Sequence, residues 1–307
     1  MGGDLGPKEA IKGALAYLSE YPDANLALIG VPSSCEEHLC LLDEYKDRFS
    51  FVPALDAISM HEHPTKALKE KPQSSIAIGF GMLKLGKVDA FISAGNTGAM
   101  LVGSMYSVGA IAGVARPTIA TLVPRIGGGF NFLLDVGANA DCKPEHLAQF
   151  GHLGSLYAEY IYGYKQPEVA LLNLGEEEGK GNILTQATYP LLKANKQINF
   201  LGNVEGRDFF KPHARVIVTD GFTGNIVLKF AESFYELYQD KLKGDDLIEG
   251  LNYEMYGGVP VLGINAPVII GHGISSAKAY VSMILGAEKV IKTGLIEAIK
   301  TQFAITA

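Results

Sequence analysis

Tryptophan is absent from the chain, and cysteine occurs only as Cys35, Cys40 and Cys142. An odd count without a CxxC pair fits a reducing cytoplasm better than a disulfide framework. No apolar run reaches membrane-spanning length, and no signal-peptide pattern precedes the first predicted helix. Positive charge is also scarce. The formal net charge is −7 and the pI is near 5.5, so the chain lacks the basic field of a general nucleic-acid binder. Neither Gly-x-Gly-x-x-Gly nor the P-loop signature occurs, which argues against nicotinamide cofactors and nucleotide hydrolysis. His61 and His63 lack the i, i+4 spacing of a helical metal pair and read as a solvated loop.

What is present is an alternation of strands and helices. The 307 residues are 48% hydrophobic with mean hydropathy +0.15, and 36 glycines punctuate the element ends. Strands are predicted near 26–29, 49–52, 88–92, 118–123, 131–136, 169–174, 198–201, 216–218 and 268–270. Helices are predicted over 7–18, 34–45, 75–85, 144–162, 182–193 and 275–300. This pattern implies an α/β fold with a mainly parallel sheet flanked by helices. No linker divides residues 1–307, so a single domain is expected.

The chain is organised around Arg215 to Leu237. Val216, Ile217 and Val218 suit a strand buried on both faces. Gly221 and Gly224 bracket a predicted turn, and from Val227 the apolar positions 227, 230, 231, 234 and 237 mark one helix face. The unpartnered N–H groups of such a helix start attract phosphate or an oxyanion. Polar residues between glycines follow strands again at 93–98, 135–146, 175–182 and 202–208. Each loop alone reads as an ordinary connection; together, at the carboxyl edge of one sheet, they read as a ligand site. Cys142 is expected to be a small buried cysteine rather than a nucleophile. Asp135, Asp141 and Glu145 read as capping groups or cation ligands. Lys180, between Gly179 and Gly181, is either solvated or aimed at a ligand.

Several motifs occur in order: Met-Gly-Gly-Asp with Pro7-Lys8, Ser-Ala-Gly-Asn-Thr-Gly, Leu-Leu-Asp-Val-Gly-Ala-Asn with Lys-Pro-Glu-His, Gly-Asn-Val-Glu-Gly-Arg-Asp, Val-Thr-Asp-Gly-Phe-Thr-Gly-Asn and Tyr256-Gly257-Gly258. With them the chain resembles, nearly end to end, the bacterial phosphate acyltransferase of phospholipid synthesis, the PlsX family. The resemblance implies transfer of a long-chain acyl group from acyl carrier protein to inorganic phosphate. It implies a fold like that of isocitrate and isopropylmalate dehydrogenases, a homodimer, and a cytoplasmic protein in peripheral contact with the membrane. It also implies a strand before Met-Gly-Gly-Asp and a longer hairpin before Tyr256. Residues 239–255 are the expected partner- or membrane-contact segment.

Such a reaction needs an anion held beside an acyl carbon, with donors for a tetrahedral oxyanion. Lys180 and Asn225 are the expected catalytic residues. Asn96, Thr97, Gly98, Asn139, Asp220, Gly221, Thr223 and Gly224 are expected to bind phosphate or substrate, with Asp220 orienting neighbours because a second anion would repel phosphate. Lys66, Lys69 and Lys71, with Arg207 and Lys211 as a second patch, are expected to dock the acidic carrier protein. No metal or cofactor is expected. The alternatives are a short-chain phosphate acyltransferase, a dehydrogenase on a similar fold, or a non-catalytic acyl or phosphate sensor.

Overall fold

The computed structural model describes Met1 and residues 3–304; Gly2 of the Met-Gly-Gly-Asp motif lies outside the described residues. The strands among them are β1 (Leu26–Gly30), β2 (Phe49–Pro53), β3 (Phe91–Ser93), β4 (Thr118–Pro124), β5 (Phe130–Leu134), β6 (Glu168–Asn173), β7 (Asn199–Glu205), β8 (Val216–Val218), β9 (Gly258–Leu262) and β10 (Val268–Gly271). The chain forms two compact units. The first joins Met1–Gly109 to Tyr253–Lys292, and the second joins Ala110–Asn252 to the stretch from Thr293.

In the first unit β1 and β2 pair in parallel as a separate two-stranded sheet. β10 pairs in parallel with β3 and antiparallel with β9. The helix Gly6–Glu20 begins with Pro7 in its first turn, where a missing N–H costs nothing. It buries Ile11, Ala14, Tyr17 and Leu18 in a cluster with Cys35 and Leu42.

In the second unit β4 is antiparallel to β5, and β5, β8, β6 and β7 follow in that order, all parallel. Val216, Ile217 and Val218 are fully buried, as a β-branched central strand should be. The helix Pro144–Tyr162 covers β5, β6 and β8. Gly154 permits this close approach, since a Cβ there would stand 2.7 Å from Val216 Cγ1.

Three local expectations change. The central helix runs Gly221–Tyr238 and so begins six residues before Val227 (227 − 221 = 6). Asp220 caps it there, accepting the Thr223 N–H at 2.9 Å. Its predicted inner face is buried only at Ala231, while Phe222, Ile226, Phe230 and Leu237 are exposed. The predicted 275–300 helix is two helices, Ala277–Thr293 and Leu295–Ala304, divided at Gly294 with φ +68°.

Candidate active site

Because β5, β8, β6 and β7 are parallel neighbours, the loops at their carboxyl ends follow one another along one sheet edge. Those loops are 135–143, 219–220 running into the Gly221–Tyr238 helix, 174–182 and 206–208. Four of the five glycine-rich loops singled out in the sequence therefore share the second unit, as doubly wound sheets arrange ligand loops. The fifth, 93–98, belongs to the first unit.

The loops after β5 and β8 are built into each other. The Asp135 N–H donates to Thr219 O at 3.0 Å, and the Gly221 N–H donates to Asn139 O at 2.8 Å. Gly224 is pressed so closely to the first loop that a Cβ would lie 1.8 Å from Asp135 O. Asp135 is completely buried beneath them. Its carboxylate accepts from the N–H groups of Ile119, Ala138 and Asn139 and from Asn139 Nδ2. Burial nevertheless pushes its carboxyl above the ordinary range, against the lowering effect of those donors.

The arrangement spends most of the expected phosphate-binding groups on architecture. Asn139 Nδ2 donates to Pro117 O and to Asp135 Oδ2, both at 2.8 Å. Thr223 Oγ1 donates to Asp220 Oδ2 at 2.8 Å. The row of free N–H groups expected at the helix start is also reduced. Gly221 and Thr223 donate to Asn139 O and Asp220 Oδ1, and Gly224 to Asp220 O. Phe222 is left as the first-turn amide without a protein acceptor among the described hydrogen bonds. Asn225 differs from its neighbours. It is exposed in the second helical turn rather than at the cap, and its side chain stands over Gly137, where a Cβ would be 3.5 Å from its Oδ1.

Lys180 is exposed at the end of the loop after β6. Its ammonium has no ion pair or hydrogen bond among the described residues, although three glutamates precede it. The Lys180 N–H donates to Glu177 O at 3.0 Å, and its carbonyl accepts Asn173 Nδ2 at 3.1 Å. Gly181 follows with φ +102°, where a Cβ would come within 2.0 Å of Thr185 Oγ1. Arg207, in the neighbouring loop, is not a free cation. Its Nε binds Glu205 Oε2 at 2.9 Å, and Nη2 reaches Glu176 Oε1 at 3.7 Å. Lys211 pairs with Asp208 at 2.8 Å.

In the first unit, Asn96 is buried. Its Nδ2 donates to the carbonyls of Ser59, Met60 and Glu62, and its Oδ1 accepts the Ala99 N–H. Thr97 is exposed, and Gly98 lies against Pro64, with a Cβ there 2.4 Å from Pro64 Cγ. Lys66 and Lys69 are exposed on the helix Pro64–Glu70. Lys71 turns inward to Glu62 at 2.9 Å, Asp56 at 3.5 Å and Ala57 O at 2.9 Å.

Cys142 is half-buried, and its thiol is pushed up to about 12 by burial and the nearby Asp135. That is no activated nucleophile. Among the described residues no cluster of His, Cys, Asp and Glu could hold a metal ion. Asp135 and Asn203 both lie inside the quoted motifs, but nothing in their spacing tells that Asp135 is a buried strut or that the partly buried Asn203 donates to Glu177 O.

The family model described as fatty acid synthesis protein matches residues 1–298. The phosphate acyltransferase of Dictyoglomus thermophilum is 44% identical over 311 residues, spanning 95% of this chain and 92% of that protein. A phosphotransacetylase from Streptococcus pyogenes superimposes with a TM-score of 0.59 at 14% identity, over 92% of this chain and 98% of that one. The 4-hydroxythreonine-4-phosphate dehydrogenase of Klebsiella pneumoniae gives 0.55 at 13% identity, over 94% and 97%. These two structures establish a fold shared with phosphotransacetylases and with a dehydrogenase.

Proposed function

The chain belongs to the fatty acid synthesis protein family and is a phosphate acyltransferase, and from that premise we propose that it moves a long-chain fatty acyl group from acyl carrier protein to inorganic phosphate. The product is an acyl phosphate that serves phospholipid synthesis. A phosphate oxygen forms a bond to the thioester carbon. The carbon–sulfur bond then breaks, the carrier leaves as its thiolate, and the proton that the hydrogen phosphate gives up restores the thiol. No covalent enzyme intermediate is needed, so the protein's task is positioning and oxyanion stabilisation.

The observation that carries this reading is the contrast among the loop side chains. Asn139, Asp220 and Thr223 are committed to protein partners. Lys180 and Asn225, exposed in the loop after β6 and the helix after β8, have none among the described hydrogen bonds and ion pairs. An unpaired ammonium suits phosphate or a developing alkoxide. An exposed amide supplies neutral donors beside it. Thr97 and Gly98 remain substrate-binding candidates within the first unit.

The protein acts as a cytoplasmic homodimer in peripheral contact with the membrane. The exposed Phe222, Ile226, Phe230 and Leu237 support a subunit interface, because apolar stripes of this kind are normally covered. No described helix is long and apolar enough to cross a membrane; the contact proposed is through residues 239–255.

The direct test is mass-spectrometric detection of palmitoyl phosphate from palmitoyl–acyl carrier protein and phosphate. Turnover of acetyl-coenzyme A in place of the carrier-bound substrate would assign the short-chain reaction instead.

A further inference from the structure

We propose that Asn203 is a positioning residue that holds the Lys180 loop in its working geometry; this rests on the reading of Lys180 as catalytic. The 174–182 loop contains three glycines and three glutamates and little apolar surface to anchor it. Its shape is fixed by hydrogen bonds. Asn173 closes the neck, with Oδ1 accepting the Leu174 N–H at 2.8 Å and Nδ2 donating to Lys180 O. The carbonyl of Glu177 is the hub, because it accepts the Lys180 N–H at 3.0 Å and Asn203 Nδ2 at 2.9 Å. Asn203 Nδ2 also reaches Glu176 O at 3.5 Å. Asn203 is thus one shared carbonyl away from the Lys180 backbone.

Gln186 Nε2 also holds Gly181 O, at 2.9 Å, on the far side of Lys180, whereas the loop's ion pairs are weaker anchors. Lys193–Glu178 and Arg207–Glu176 join long, exposed side chains, and such pairs contribute little and are screened by salt. Asn203 instead projects from β7, which is paired with β6 opposite Leu171. Its orientation is unambiguous, since two carbonyls must face the amide nitrogen rather than the oxygen. Its Oδ1 is buried without a partner, so the amide's hydrogen bonding is directed at this loop.

The experiment is a double-mutant cycle in the full chain, with acyl phosphate formation as the readout. Asn203→Asp keeps the shape but turns an acceptor toward the two carbonyls. It should lower kcat about tenfold to a hundredfold, with KM for phosphate and carrier protein changed less than about twofold, since the loss falls on the transition state. Asn203→Gln, which keeps a donor, should recover part of the loss. In a Lys180→Ala background, Asn203→Asp should change turnover less than about twofold, because its effect runs through the lysine. Equal losses in both backgrounds, or an unchanged kcat in the single variant, overturn the proposal while leaving Lys180 catalytic. If Lys180→Ala alone turns over normally, the reading of Lys180 falls and this proposal with it. If circular dichroism shows Asn203→Asp unfolded, Asn203→Ser runs the same cycle.

Discussion

At the scale of single residues, two kinds of polar group occupy the same loops. Asn139, Asp220 and Asn96 have donors or acceptors turned onto neighbouring backbone; Lys180 and Asn225 do not. Replacing Lys180 or Asn225 with Ala should therefore cost about a hundred- to a thousandfold in turnover, the effect of losing one oxyanion donor, with the fold intact. Turnover within a few-fold of the parent in both would return the search to Thr97. The glycines carry the complementary lesson. Gly221 and Gly224 read in sequence as turn formers, yet both lie in a regular helix and are small because another backbone passes beside them. Helix propensity alone favours Gly224→Ala by about 1 kcal/mol. The 1.8 Å approach to Asp135 O should reverse that sign, lowering stability by about 1–3 kcal/mol as overpacking does. A shift of the urea midpoint to lower concentration checks it; a rise would show that the loop yields freely.

At the scale of elements, most helices and all the described strands but β9 (Gly258–Leu262), which was not predicted, were legible because the signals were local. The β-branched run of β8, Pro144 opening its helix and the alternation of elements are all written within a few residues. Strand order, and the neighbourhood of the 135–143 and 219–225 loops, was not, since it depends on hydrogen bonds between residues some 80 positions apart. The unexpected break at Gly294 frees the last helix, Leu295–Ala304, to pack on Pro144–Tyr162. His152 stacks there on Phe303 at 4.9 Å and is 4% exposed. Burial lowers its pKa from 6.5 to about 4. The unfolded chain then binds the extra proton between those values, so stability is complete above about pH 6.5 and falls as pH drops toward 4. The gap corresponds to about 3 kcal/mol. His152→Leu should flatten the dependence of the denaturation midpoint on pH in that window, whereas an unchanged slope would place the acid sensitivity elsewhere.

At the scale of the whole molecule, charge sets the problem of encounter. The chain carries a net −7; on the proposed reaction its acyl donor rides on acyl carrier protein, which is acidic as well, so docking of that partner would need a local positive patch. The sequence grouped Lys66, Lys69 and Lys71 as that patch, but spacing along the chain cannot tell which lysines are already neutralised. Lys71 is held by Glu62 and Asp56, whereas Lys66 has only a long 3.9 Å approach to Glu70 and stays exposed with Lys69. The two lysines on the Pro64–Glu70 helix therefore carry the docking prediction. Reversing Lys66 and Lys69 to Glu should raise KM for the carrier protein and weaken its dependence on salt, while kcat and KM for phosphate hold. Lys71→Glu should act differently. It sets a third carboxylate beside Glu62 and Asp56 and removes the donor to Ala57 O, so it should loosen the 56–62 segment and lower thermal stability. Stopped-flow binding of carrier protein at low and physiological salt separates the two effects. An association rate that ignores both Lys66 and Lys69 would strike this helix from the docking surface.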